Sequence, residues 1–218
     1  MDNILYDKKV TCLYCEKMFT SKHIKTSALR IKKIDNDSCK HFEGTAIPYL
    51  YEAFACPSCG FAFIESFILS DRKKENIKSE YIDKLNFRGD YCSERTILEA
   101  IRVWNLALIC AQVSTQNRTI QAWISLRIAW LYRYLNNSVE SKFLTMSLAH
   151  YEYAYINEDI ESSKKDILNM IFQLNISLND ETNAKHWLNE LYKLKDMKLV
   201  REAKEQLDEL RETNKSTA

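Results

Sequence analysis

Two short stretches of this 218-residue chain carry residue types and spacing that could do chemistry: "CLYC" at Cys12–Cys15 and "CPSC" at Cys56–Cys59. A Cys-x-x-Cys turn aims two sulfurs at one point, with its own backbone N–H groups facing them. Two such turns give four thiolates, the number a tetrahedral structural zinc requires. In the second turn Pro57 pre-sets the bend and Gly60 permits the positive φ that closes it. The first turn is poorer, because Glu16 stands where Gly60 has its counterpart. Phe19 and Phe61 are placed to pack beside the turns. A redox dithiol is the main rival, but two pairs weaken it and neither sits in a thioredoxin-like strand–helix context. Unrelated buried cysteines are the third option. The preferred reading makes Cys12, Cys15, Cys56 and Cys59 the ligands of a structural Zn2+. Four thiolates leave no open coordination position for water, so the metal argues against hydrolytic catalysis, and the chain is read as a non-enzyme.

Cys39 and His41 lie between the two pairs. Either could replace a ligand or stand behind one. The simpler reading, a small buried thiol and a solvated loop histidine, is preferred. Other candidates are thin. His23, His41, His150 and His186 are scattered, and His150 and His186 read as core or rim residues. Cys92 and Cys110 have no local partner and read as buried thiols. Arg127 and Arg133 lie among apolar residues. They either clamp a partner's carboxylate or, as preferred, pair internally with Glu94, Glu99 or Glu140. Trp104, Trp123, Trp130 and Trp187 read as core.

The elements that must position the cysteines divide by composition. Five of the seven cysteines, both prolines and two of the three glycines fall in residues 1–60. "SALRIKKID" (27–35) and "YLYEAFAC" (49–56) suit strands, with "DNDSCKHFEGTAIP" as turn and loop between them. "FAFIESFIL" (61–69) is apolar enough to seal this head onto something else. Residues 70–87 read as a charged connecting helix with Ser70 or Asp71 as its cap, and the segment around Gly89 as a boundary. From Glu94 on, four or five helices are expected. One face of the first carries Ile97, Ile101, Trp104, Leu108 and Ala111. The next has two apolar rows, Ile120, Ile124, Ile128, Leu131, Leu135 and Trp123, Leu126, Trp130, which marks a helix packed on both sides. Ser138 is read as the cap of the third. Leu135-Asn136 and Leu178-Asn179 recur in a faint repeat of paired helices. The predicted architecture is mostly α: a small zinc-ribbon-like β head (1–69), a connecting helix and linker (70–93), an antiparallel, tetratricopeptide-like helical-hairpin stack (94–213) and a disordered tail (214–218).

Composition narrows function by exclusion. With 3 Gly, a phosphate loop, a dinucleotide fingerprint and a nucleophile elbow are ruled out. A net charge of +1 argues against duplex DNA or an anionic membrane as partner. No apolar run reaches a membrane-spanning length, and "MDNILYDKKV" lacks the features of a secretory signal, so a cytoplasmic protein is expected. An odd number of cysteines in a reducing compartment makes a disulfide framework improbable.

The cysteine segment "VTCLYCEKMFTSKHIKTSALRIKKIDNDSC", then "IPYLYEAFACPSCGFAF", "ERTILEAIRVWNLALIC", "LRIAWLYR" and "NDETNAKHWLNEL" follow the order seen in a bacterial family. By these motifs the chain resembles domain of unknown function 2225 from about Leu5 to Leu194. The resemblance implies a zinc-ribbon-like head with Cys12, Cys15, Cys56 and Cys59 on the metal positions, Cys39 on a recurrent cysteine, and a tetratricopeptide-like tail. Leu13 and Glu16 depart from the frequent proline and glycine of the first turn. No reaction or partner comes with it.

The function expected from residues and resemblance together is a protein–protein scaffold or adaptor, a partner or peptide lying on the helical part. A nucleic-acid-associated regulator is the alternative, resting on Lys25, Arg30, Lys32 and Lys33. A thiol-based redox sensor is the second alternative.

Overall fold

The structure is a computed structural model that describes residues 4–84 and 89–217. Its first third is three antiparallel hairpins. β1 (Leu5–Thr11) pairs β2 (Met18–Ile24) in unbroken register, β3 (Ile31–Ile34) pairs β4 (Lys40–Phe42) with an irregularity between Ile31 and Lys33, and β5 (Phe54–Ala55) pairs β6 (Ala62–Phe63). Each Cys-x-x-Cys is the turn of a hairpin: the first joins β1 to β2, the second β5 to β6.

The strands are shorter than the apolar runs that announced them. Thr26–Ala28 and Pro48–Leu50 are 3-10 turns, as Pro48 at the start of the second favours. Lys40–Phe42, read as loop, is a strand, because the bend at Ser38, with φ 68°, turns it back onto β3.

α1 (Asp71–Glu80) and a 3-10 turn at Ile82–Lys84 follow; the rest of the expected connecting helix, 85–87, lies outside the described residues. Ser70 stands at the N-cap position of α1 without a capping hydrogen bond from its side chain. Among the described residues six α-helices follow, where four or five were expected: α2 (Ile97–Val113), α3 (Arg118–Tyr134), α4 (Val139–Asn157), α5 (Lys164–Ser177), α6 (Glu181–Lys193) and α7 (Met197–Thr217). α7 remains helical past 213, where an unstructured tail was expected. Its buried Val200, Ala203, Leu207 and Leu210 recur at helical spacing and hold it to the stack.

Helix boundaries follow local chemistry. Thr96 and Glu99 form a reciprocal capping box at the start of α2. Ser138 does not cap α4; the Asn137 Oδ1 accepts from Val139 N at 2.9 Å instead. The Glu158 carboxylate, just past α4, accepts from the backbone N–H of Arg118 at 2.6 Å and so caps α3 from across the hairpin. With glycine scarce, α2, α3 and α5 end on Thr115, Asn136 and Asn179 in the left-handed region, with φ of 48°, 50° and 58°. Each of the three ends has the paired 6→1 and 5→2 bonds of a Schellman motif, for example Asn137 N to Tyr132 O and Asn136 N to Arg133 O. The Leu-Asn repeat in the sequence is therefore a helix-stop signal.

Each helix from α2 to α7 packs on the next, and α7 also reaches α5. α3 is buried on both sides, with Ile124, Leu126, Ile128, Trp130 and Leu131 inside. Its close packing on α4 places Ser147 Oγ 2.9 Å from the Ala122 carbonyl, to which it donates. β5 and β6 lie on α2, and one apolar cluster runs without a break from Cys12 to Leu210. The compositional change near residues 69–93 is therefore crossed by continuous packing. Each large side chain buried there, such as Phe61 or Trp104, contributes about 1.5–3 kcal/mol.

Candidate metal centre and adjoining groove

The two turns are near copies. In the first, Cys12 N donates to Lys17 O and Glu16 N to Cys12 O, both at 3.0 Å; in the second, Cys56 N donates to Phe61 O at 2.9 Å and Gly60 N to Cys56 O at 2.8 Å. Glu16 takes φ 62° and Gly60 φ 76°, so the first turn reaches the same shape with a residue that pays steric strain for it. α1 and Tyr81, the residue that follows it, brace both turns at these positions. Lys74 Nζ reaches the Glu16 carboxylate at 2.7 Å, and the Tyr81 hydroxyl donates to the Gly60 carbonyl at 2.8 Å. Phe61 is fully buried against Phe63, 5.6 Å between stacked rings, while Phe19 is half-buried opposite Val10.

The turns face each other so that Cys12 Sγ lies 3.7 Å from Cys59 Sγ and Cys15 Sγ 3.7 Å from Cys56 Sγ; all four sulfurs lie within 4.8 Å of one another. A tetrahedron with metal–sulfur bonds of about 2.3 Å has edges of about 3.8 Å. The arrangement therefore fits a single metal ion held by four thiolates. Cys12 and Cys56 are buried, and Cys15 and Cys59 half-exposed. The hydrogen bond from Cys59 pulls the Cys12 thiol down to about 5 against the opposing effect of burial, and the same bond raises Cys59. Backbone N–H groups of Tyr14 and Cys15 aimed at the Cys12 sulfur also favour its thiolate.

A family model described as "Uncharacterized protein conserved in bacteria (DUF2225)" matches residues 5–214. The chain belongs to this family. No curated protein and no solved structure matches it. The match spans both the hairpin head and the helical stack of this DUF2225 chain, including all four clustered cysteines.

The structure places Cys39 in a different cluster, with Asp35 and His41. Cys39 is fully buried, and burial pushes its thiol up to about 12. His41 is not a solvated loop residue: its Nε2 lies 2.6 Å from Asp35 Oδ2, and its ring packs 5.4 Å from Tyr134. Both Asp35 oxygens are taken, by Lys33 at 2.8 Å, His41 and Arg133. Arg133 also bonds the buried Asp37 and Glu140, at 2.6 and 2.7 Å. Internal pairing with Glu140 was the expected partnership; the two aspartates were not foreseen. Arg127 pairs with Glu52 at 2.9 Å, from a segment of the head no local pattern connects to α3. Of the basic residues singled out near β3, Arg30 donates to the carbonyls of Ser27 and Leu29, and Lys33 is held by Asp35.

Sequence reasoning missed Arg95. It is buried between head and stack and donates to the carbonyls of Tyr91, Leu50 and Ala53, at 2.5, 2.9 and 2.7 Å, and to Ser21 Oγ at 3.3 Å. Only its place in "SERT", one residue before the capping threonine, could have flagged it. Cys110 is buried as expected, and Cys92 is half-exposed. Trp104 is core, its Nε1 donating to Tyr49 O at 2.8 Å. His186 packs on Trp187 at the rim.

A groove runs between the head and α3–α5. It has two compartments of about 550 Å³ each, which share Glu52, Trp123 and Tyr151 in their walls. One is lined mainly by Phe54, Ile64, Ile120 and Trp123, the other by Tyr49, Leu126, Arg127, Trp130 and Met170. Among the described residues no helix is long and apolar enough to cross a membrane.

Proposed function

We propose that this chain is a non-enzymatic scaffold, stapled by a structural zinc, that takes a peptide or protein segment into the groove between head and helices. The observation that carries the reading is the groove itself: two compartments rich in apolar side chains that share Trp123, with walls from both parts of the fold. Zinc suits a four-sulfur set at this spacing, and its binding supplies on the order of 10 kcal/mol to folding a head built of short hairpins. Its four ligands leave no position for a reacting water, which supports binding over catalysis. The two-residue strands β5 and β6 cannot hold a sheet alone, so the metal and α2 together fix the head's wall of the groove.

Site-specific photo-crosslinking tests the reading. A photoreactive residue at Ile120, in the groove, should capture a partner from a bacterial lysate; one at Leu98, exposed on α2, should not. Equal capture at the two positions, or none at Ile120 with the metal retained, would overturn it.

A further inference from the structure

The groove is not chemically uniform, and one side chain in it is set up for a particular ligand group. Arg127 has its guanidinium carbon 4.2 Å from the Trp123 ring centre, 4.1 Å from that of Trp130 and 5.0 Å from that of Tyr49. Its Nε donates to Glu52 at 2.9 Å. Those contacts leave Nη1 and Nη2 without a hydrogen bond among the described residues, on a side chain that lines the groove with 13 % of its surface open. Arg133, six residues on, differs in that its Nε, Nη1 and Nη2 are all bonded to carboxylates.

We infer that Arg127 is an anion clamp, and that the segment bound in the groove presents an acidic side chain, Asp or Glu, to its Nη edge. This rests on the groove being a peptide site. A guanidinium offers a planar fork that a carboxylate fits with two parallel hydrogen bonds, and one held by stacked rings loses little freedom on binding. Charge agrees. Around Arg127 the compartment is lined by two cations, Lys40 and Arg127, and one carboxylate, Glu52, which is already matched to Arg127 Nε; the other compartment adds the carboxylate of Glu65, which is paired with Lys8. One positive charge is left over. The groove continues past Arg127 into the second compartment, so a bound chain meets the clamp along its length rather than at its end. That points to a side-chain carboxylate over a terminal one. The apolar second compartment then takes an apolar side chain a few residues away.

A random dodecamer peptide display selected on the full, metal-loaded chain is the test, with enriched sequences remade as C-terminal amides carrying a fluorophore. Enrichment of one acidic position near an apolar one is expected. Changing that peptide residue from Glu to Gln should weaken binding about ten- to a hundredfold, the range for a charge-assisted pair. Arg127→Lys should weaken the acidic peptide by a similar factor and leave the Gln peptide almost unmoved. The peptide-side change decides the matter even where Arg127→Lys perturbs the fold. Peptides that bind equally with Glu or Gln would overturn the clamp and leave the groove reading standing. Selection of a free C-terminal carboxylate, or preference for phosphoserine over Glu, would overturn the assignment of the ligand group. Failure of any peptide to compete with crosslinking at Ile120 would overturn the clamp and the peptide-groove reading together.

Discussion

Replacing Arg95 with methionine separates two accounts of how the head is attached: through apolar packing alone, or through packing pinned by one buried cation. The side chain faces three backbone carbonyls and Ser21 Oγ, with no carboxylate among these partners. Burial pushes its pKa down to about 10, so it stays charged at neutral pH. Hydrogen bonds from a charged donor are worth about 1.5–3 kcal/mol each. Desolvation, the main cause of that lowering, offsets part of the gain from these bonds. Methionine fills much of the same volume but leaves three carbonyls without this donor, so a net loss of about 3–5 kcal/mol follows, in line with breaking a buried charged group. For a chain of this length that lowers the melting temperature by roughly 10 °C. Arg95→Lys keeps the charge, but one ammonium cannot span carbonyls contributed by Leu50, Ala53 and Tyr91; it should lose at least half as much. Equilibrium urea unfolding of the metal-loaded protein, followed by circular dichroism, measures both. A loss under about 1 kcal/mol for Arg95→Met would refute the reasoning and leave packing as sufficient.

Elemental analysis should find one metal ion per chain in the unaltered protein and in Cys39→Ser, and a substoichiometric amount in Cys59→Ser; retention in Cys59→Ser would contradict the four-sulfur site. Asp35 supplies a pH signature. Burial alone would raise its carboxyl, and the bonds from His41, Lys33 and Arg133 prevail, holding it at about 2, below its ordinary 3.8. Its contribution to stability is thus complete above about pH 4 and is lost as pH falls from there towards 2. The urea midpoint of Asp35→Asn should consequently change less than that of the unaltered protein between pH 5 and pH 2; parallel curves would remove the carboxylate from the account. At Asn136, alanine in the left-handed position should cost about 1 kcal/mol and glycine nothing, as read by thermal unfolding.

What was legible in the sequence was local. Cys12, Cys15, Cys56 and Cys59 announced themselves through turn chemistry, and the apolar rows of α2 and α3 through helical spacing, because both signals lie within a few residues. Glu16 was marked as a poor turn residue, and its φ of 62° is the left-handed conformation that glycine takes in the second turn; the partner that meets it, Lys74, is 58 residues away and left no pattern. Separations of 75 and 96 residues likewise hid Glu52 from Arg127 and Asp37 from Arg133. Arg95 was hidden for a second reason: three of its acceptors are backbone carbonyls, which every residue has. β4 was missed because a three-residue strand carries too little alternation to be told from loop.

Continuous packing from Cys12 to Leu210 has a practical corollary for anyone wishing to dissect the molecule. A helical piece begun at residue 94 would bare the face of α2 that β5 and β6 cover, and a head piece ended at 69 would shed α1 and with it the grip of Tyr81 on Gly60. Neither half carries a finished surface. Binding maps drawn from such fragments would report sticky seams, and intact chains with single side-chain changes are the sounder route to locating a partner.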